Sequence, residues 1–227
     1  MSPHARMLTG FAVAIAIAIV TAQLVVINRP AAPPLIQGVL LSNARALQDF
    51  TLLDHHNREF GNAQLKGHWH LVSYGFTNCP DICPTTLVQL ASVTEALRDS
   101  GQGLEDDLRV LFYTVDHRRD TVEQLAAYVP YFHPDFIGLT HADDPDNPHL
   151  PFESSLGIAA QLMPNLDPAA DPDANEYEVS HGVTLFLLNP EGELQAILEP
   201  DRTGPTEHAF DPEKVLRDYV AIRDYLG

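Results

Sequence analysis

His68-Trp69-His70-Leu71-Val72-Ser73-Tyr74-Gly75-Phe76-Thr77-Asn78-Cys79-Pro80-Asp81-Ile82-Cys83-Pro84 is the stretch that decides the fold. Its first half, His68 to Phe76, is apolar and β-prone and predicts a strand. The segment that follows, Pro84 to Ser100, carries Leu87, Leu90, Thr94 and Leu97 at helical spacing, and Pro84 suits a first helical turn. Both cysteines of the chain therefore sit where a strand hands over to a helix. In open α/β sheets that carboxyl edge is where sites are placed.

Working outward, Arg109 to Val115 predicts a second buried strand. Thr121 to Val129 predicts a helix opened by a capping box of Thr121 and Gln124. Phe50–Leu53 and Glu59–Phe60 flank Asp54 to Arg58 as a hairpin, and Asn62 to Leu65 reads as a short turn. Phe136 to Leu139 reads as a short strand and Phe152 to Leu162 as a helix. Val183–Leu188 and Leu194–Leu198 form a hairpin about Asn189-Pro190-Glu191-Gly192. The last helix opens at Asp211 and Pro212, with a stripe of Val215, Tyr219, Ile222 and Leu226. Strands alternating with helices and ending in an antiparallel hairpin predict an α/β fold on a mixed sheet.

The 227 residues are 45% hydrophobic, enough for a core, and their net charge of −18 argues against nucleic acid as a partner. Two cysteines are too few for a disulfide scaffold, a four-thiolate zinc site or an iron–sulfur cluster. Neither a phosphate-binding glycine loop nor a Gly-x-Ser-x-Gly elbow occurs.

Met7 to Asn28 carries no charge, and within it Leu8 to Ile27 is a run of 20 residues, mostly Ala, Val, Ile and Leu. At about 1.5 Å per residue such a run crosses a bilayer core. Residues 1–29 are therefore expected to be a membrane anchor. A signal peptide cleaved after Val20 and Ala22 is the alternative, but Leu24 to Ile27 continues the apolar stretch past that point. Residues 30–39 are a Pro-rich linker and 40–227 the globular domain, carried across the membrane into a compartment where thiols oxidise. With no Arg/Ser-rich presequence, the expectation is a bacterial inner membrane crossed once, the domain in the periplasm.

Two thiols four apart at a helix start are expected to face the same way, with a thiolate stabilised by the helix dipole. They can close a disulfide, exchange with other disulfides or grip a soft metal ion. A purely structural disulfide would close so short a loop that it contributes little entropy. The best candidate for a third metal ligand is His181, in Val179-Ser180-His181-Gly182-Val183 just ahead of a predicted strand. His68 and His70 share a strand face, and His55-His56 lie in a turn. Both pairs are read as surface histidines. Tyr113, Tyr128 and Phe132 are read as packing residues.

Gly75 to Pro84 resembles the signature of the Sco/SenC family. Val115-Asp116 with Arg119-Asp120-Thr121 resembles that family's second motif, and Ser180-His181-Gly182 running into Leu185 to Gly192 its third. The amino-terminal anchor fits as well. The resemblance implies a thioredoxin-like fold and copper, Cu(I) or Cu(II), held by Cys79, Cys83 and His181. Soft thiolates favour Cu(I), and an added imidazole admits Cu(II). Zinc in a closed site would want a fourth ligand. The implied function is a membrane-anchored copper chaperone rather than an enzyme. It would deliver copper to the binuclear site in the copper-bearing subunit of cytochrome c oxidase during assembly, and exchange with other copper chaperones or thiol reductants. The chain departs from the family at Ser180 and Gly182, which replace Asp and Ser, and at His117, which replaces Pro.

The alternative is an enzyme, a thiol–disulfide reductase using Cys79 and Cys83 to keep the oxidase's copper-ligating cysteines reduced. A peroxidase is disfavoured, since no arginine lies near the cysteines in sequence. From His141 to Glu178 the chain is acidic and Pro-rich, with no Lys or Arg. It reads as loop, either plain solvated surface or a docking surface for a basic partner and a carrier for His181.

Overall fold

The computed structural model describes residues 15, 17–21, 23, 32–101, 103, 104, 106–141, 151–164, 177–201 and 209–227. The chain divides into two units, Met1–Pro34 and Leu35–Gly227. In the first, the described residues are helical between Ile15 and Gln23. Among the described residues no helix is long and apolar enough to cross a membrane. The anchor expected over Leu8 to Ile27 lies mostly outside them, as do residues 142–150 and 165–176 of the acidic segment.

The second unit runs β1 (Gly38–Ala46), β2 (Thr51–Asp54), β3 (Glu59–Gly61), a 3-10 turn (Asn62–Leu65), β4 (Trp69–Gly75), α1 (Ile82–Asp99), β5 (Leu108–Thr114) and α2 (Val122–Phe132). It continues through β6 (Ile137–Thr140), α3 (Pro151–Leu156), β7 (Ala160–Pro164), β8 (Tyr177–His181), β9 (Leu185–Leu188), β10 (Glu193–Leu198) and α4 (Pro212–Leu226). Eight strands form one sheet in the order β1-β10-β9-β4-β5-β6-β2-β3. β4, β5 and β6 run parallel, and the other neighbours pair antiparallel. β7 and β8 form a separate two-stranded ribbon.

β4 is buried at every position, as expected of a strand covered on both faces. On one face Trp69 and Leu71 meet Leu87, Leu90 and Leu97 of α1, Leu125 and Val129 of α2, and Tyr219 and Ile222 of α4. The alternate residues Val72 and Tyr74 meet Phe50, Phe60, Leu65, Phe152 and Leu156 on the other face. Each fully buried leucine contributes about 1.5–3 kcal/mol relative to exposure. Two helix starts are capped as the sequence predicts. Thr121 accepts from the Gln124 N–H at 3.3 Å, and Asp211 from the Glu213 N–H at 3.0 Å.

Several expectations are corrected. Phe152 to Leu162 is not one helix: α3 stops at Leu156 before Gly157, and Ala160 onward is β7. β1 and β8 are strands the sequence reading did not anticipate. α1 begins at Ile82, so Cys79 lies before the helix, in a turn where its N–H donates to the Phe76 carbonyl at 3.2 Å. His55 and His70 are not surface residues. His55 is buried and its Nδ1 accepts from the Gly138 N–H at 3.0 Å. His70 is wholly buried with neither ring nitrogen hydrogen-bonded.

Candidate metal centre

The thiols come from the junction of β4 and α1. Cys83 is in the first turn of α1 and buried, while Cys79 is half-buried; both are free. The Cys83 N–H points at the Cys79 sulfur, 3.4 Å away. The Cys83 thiol hydrogen-bonds the same sulfur, so one proton serves both. That bond, helped by the Cys83 and Asp81 N–H groups against partial burial, pulls Cys79 down to about 5. The same bond and burial push Cys83 up. The pair thus presents one thiolate and one thiol at neutral pH.

Gly75, the last residue of β4, makes room for this arrangement. A Cβ there would lie 2.4 Å from the Cys83 sulfur. Only a residue without a side chain lets the sulfur rest against the strand end.

His181 ends β8, at the tip of the ribbon. Its Nδ1–H donates to the Gly182 carbonyl at 2.7 Å, which turns Nε2 toward the thiols. Nε2 lies 3.8 Å from the Cys83 sulfur, across 98 residues of sequence. Tyr74 and Phe76 flank the ring at centroid distances of 5.5 and 5.7 Å. The Gly182 carbonyl thus orients the ring through the nitrogen that faces away from the thiols.

Metal–sulfur and metal–nitrogen bonds of about 2.3 and 2.0 Å place two ligands of one ion roughly 3.5–3.8 Å apart. The Cys83–His181 edge already has that span. Among the described residues no three His, Cys, Asp or Glu side chains are gathered to hold an ion as they stand. Two soft thiolates and one imidazole suit copper in either common oxidation state.

One short turn after β5 grips both arms of the centre. Asp120, fully buried, accepts from the Thr77 N–H at 2.9 Å, the Thr77 hydroxyl at 2.6 Å and the Thr114 hydroxyl at 2.6 Å. Burial raises its pKa, against those hydrogen bonds. Thr77 lies two residues before Cys79. On the other arm, Asp116 is buried and accepts from Arg119 Nε and from the Tyr177 hydroxyl. The Arg119 guanidinium sits 4.1 Å above the Tyr177 ring and donates to the Tyr177 carbonyl at 3.3 Å. Burial first, then Asp116, raises Tyr177 to about 12, so its hydroxyl stays a donor. Arg119 is committed to this contact rather than to the thiols. His117 stacks on His141 at 4.2 Å.

Cys83 thus contacts both Cys79 and His181, short of a formed three-ligand cluster, whereas the histidine pairs 68/70 and 55/56 lie elsewhere in the fold. Sequence reading missed Tyr177 and Thr77. The signal for Tyr177 was present: Tyr177, Val179 and His181 alternate with exposed residues, the period of a half-buried strand.

Residues 40–216 match the SCO1/SenC family. The human mitochondrial protein SCO2 homolog is 38% identical over 180 residues, 79% of this chain and 62% of that one. The chain thus spans less than two thirds of that relative's length. Two structures with copper bound are similar to it. ScoI of Arabidopsis thaliana has a TM-score of 0.62 at 27% identity, covering 79% of this chain and 99% of that one. Yeast Sco1 has a TM-score of 0.62 at 28% identity, covering 79% and 89%. The α/β fold is thioredoxin-like, with a large mixed sheet flanked by helices, as the resemblance implied.

Proposed function

The chain belongs to the SCO1/SenC family, and from that premise we propose that it is a copper chaperone holding its cargo through Cys79, Cys83 and His181. The observation that carries the reading is the 3.8 Å approach of His181 Nε2 to the Cys83 sulfur. An imidazole beside a thiolate-forming pair is a donor set for a soft ion. Its three members come from two separate elements, so the site can open to release copper. The uncharged run Leu8 to Ile27 supports an anchor crossing a bacterial inner membrane once, with the domain in the periplasm. The recipient is the copper-bearing subunit of cytochrome c oxidase, at its binuclear site. Other copper chaperones would load the protein and thiol reductants would keep its pair reduced.

The test is titration of the reduced full-length protein with Cu(I). One ion per chain is expected, and none after Cys79→Ala or Cys83→Ala. His181→Ala is expected to lose Cu(II) while retaining weaker Cu(I) uptake. A stoichiometry indifferent to Cys79→Ala would sink the assignment.

A second reading is favoured by the low pKa of Cys79. As a thiol–disulfide reductase, the Cys79 thiolate attacks a partner disulfide and expels one partner thiolate. The Cys83 sulfur, losing its proton, then displaces Cys79's partner sulfur. A Cys79–Cys83 disulfide and a reduced partner result, and an external thiol reductant resets the pair. This activity tolerates His181→Ala; copper delivery does not.

A further inference from the structure

The β7–β8 ribbon shares no backbone ladder with the eight-stranded sheet among the described residues. Side chains, with the three-residue link from His181 to β9, therefore hold it to the body. Tyr177, Val179 and His181 share the inward face of β8. Val179 and Ala160 give apolar contact to the core, which resists separation but not sliding. Apart from the approach of His181 itself to Cys83, the directional contacts of the ribbon with the body are, among the described residues, at Tyr177: its hydroxyl on Asp116, its ring under Arg119 and its carbonyl accepting from Arg119. Asp116 and Arg119 are joined to each other and closed into one turn, in which the Arg119 and Asp120 N–H groups donate to the Asp116 carbonyl at 3.1 and 2.9 Å. Through Asp120 and Thr77 that turn also fixes the approach to Cys79.

Four residues of strand separate Tyr177 from His181, a lever of about 13 Å. A pivot of 10° or so at Tyr177 carries the imidazole roughly 2 Å, enough to break its approach to the Cys83 sulfur.

We propose that the Asp116–Arg119–Tyr177 clamp is the positioning device for His181, and that the Tyr177 hydroxyl is the contact setting whether the imidazole reaches the thiols. The proposal rests on the copper-site reading above, which it deepens. Tyr177 and Asp116 touch no copper ligand and act only through the ribbon.

The experiment uses the full-length reduced protein and two variants, Tyr177→Phe, which keeps the ring under Arg119, and Asp116→Asn. Cu(II) and Cu(I) are titrated separately, with the thiolate-to-Cu(II) charge-transfer band recorded. Amide exchange in β8, β9 and β10 is measured without metal. The expectation is Cu(II) affinity lowered about 10- to 100-fold with a weakened band. Cu(I), which two thiolates can hold between them, loses less. Exchange quickens in β8 and not in β9 or β10. Equal loss of both ions, or no change in either, overturns the clamp as a positioning device. Should the parent protein bind neither ion, the copper reading fails by itself. The exchange data then decide the clamp: faster β8 exchange sustains it, and unchanged exchange overturns it.

Discussion

The two arms of the candidate centre are built differently. The thiols stand just past the end of β4, the strand paired on both sides at the middle of the sheet, Cys79 in a turn and Cys83 in the first turn of α1. His181 stands at the end of a five-residue strand in a ribbon outside that sheet. Moving the thiols means disturbing the core, whereas moving the histidine means loosening one side-chain clamp. A carrier that must both hold and release a soft ion needs that asymmetry: one fixed half and one half that opens at low cost.

On the thiol arm, acid is the largest lever. His70 lies on β4, and burial, then Arg109 and His68, pull its pKa to about 3. An unfolded histidine takes its proton near 6.5. Between those values the unfolded chain binds the extra proton, so stability is full above pH 6.5 and falls as pH drops toward 3. The loss is on the order of 4–5 kcal/mol. Urea midpoints measured from pH 7 to 4 should fall accordingly, and His70→Leu should flatten the slope. His55, lowered mainly by burial, adds in the same direction. An unchanged slope in His70→Leu would show that the buried imidazole is not responsible.

Next in size is a pair of glycine substitutions, one on each arm. Gly75→Ala sets a methyl 2.4 Å from the Cys83 sulfur, inside the packed junction. It should cost about 1–3 kcal/mol and displace the thiol, abolishing tight Cu(I) uptake. Gly182→Ala meets only the hydroxyl end of Tyr74 at 2.9 Å, where the ribbon can yield. It should cost no more than about 1 kcal/mol and leave Cu(I) uptake in place. Thermal melts and Cu(I) titrations of both variants compare the arms directly. Equal costs would remove the distinction between a fixed and a yielding arm.

The same asymmetry governs what was legible in the sequence. The Cys79–Cys83 junction is local, and a strand pattern followed by a helix pattern locates it within a few residues. The ribbon is non-local: β7 pairs with β8 across a separation that no periodicity reports. Phe152, Leu156 and Ala159 fall at the i, i+4, i+7 spacing of a helical stripe, so β7 reads as part of a helix that in fact stops at Leu156. β1 mixes Leu40 and Leu41 with Ser42, Asn43 and Arg45, the composition of an edge strand, and gave no alternating signal. The burial of His55 and His70 depends on which elements cover β2 and β4, information that lies in tertiary packing. The second motif was visible as a motif. Its action, gripping Thr77 with one carboxylate and Tyr177 with another, emerges only in three dimensions.

The smallest predicted effect concerns the charge on the fixed arm. Cys79 is pulled to about 5 first by the Cys83 thiol, then by N–H groups of its own turn, and least by His181. Its thiolate is therefore maintained by the junction itself. Alkylation of Cys79 in the reduced protein should keep its rate from neutral pH down to about 6 and fall with a midpoint near 5. Cys83→Ala removes the donor and should carry the midpoint back toward the ordinary thiol range. His181→Ala should move it only slightly upward, because the imidazole's contribution is last in rank. A large upward shift in His181→Ala would mean that the yielding arm charges the fixed one, and opening the ribbon would then switch the nucleophile off as well as release the ion.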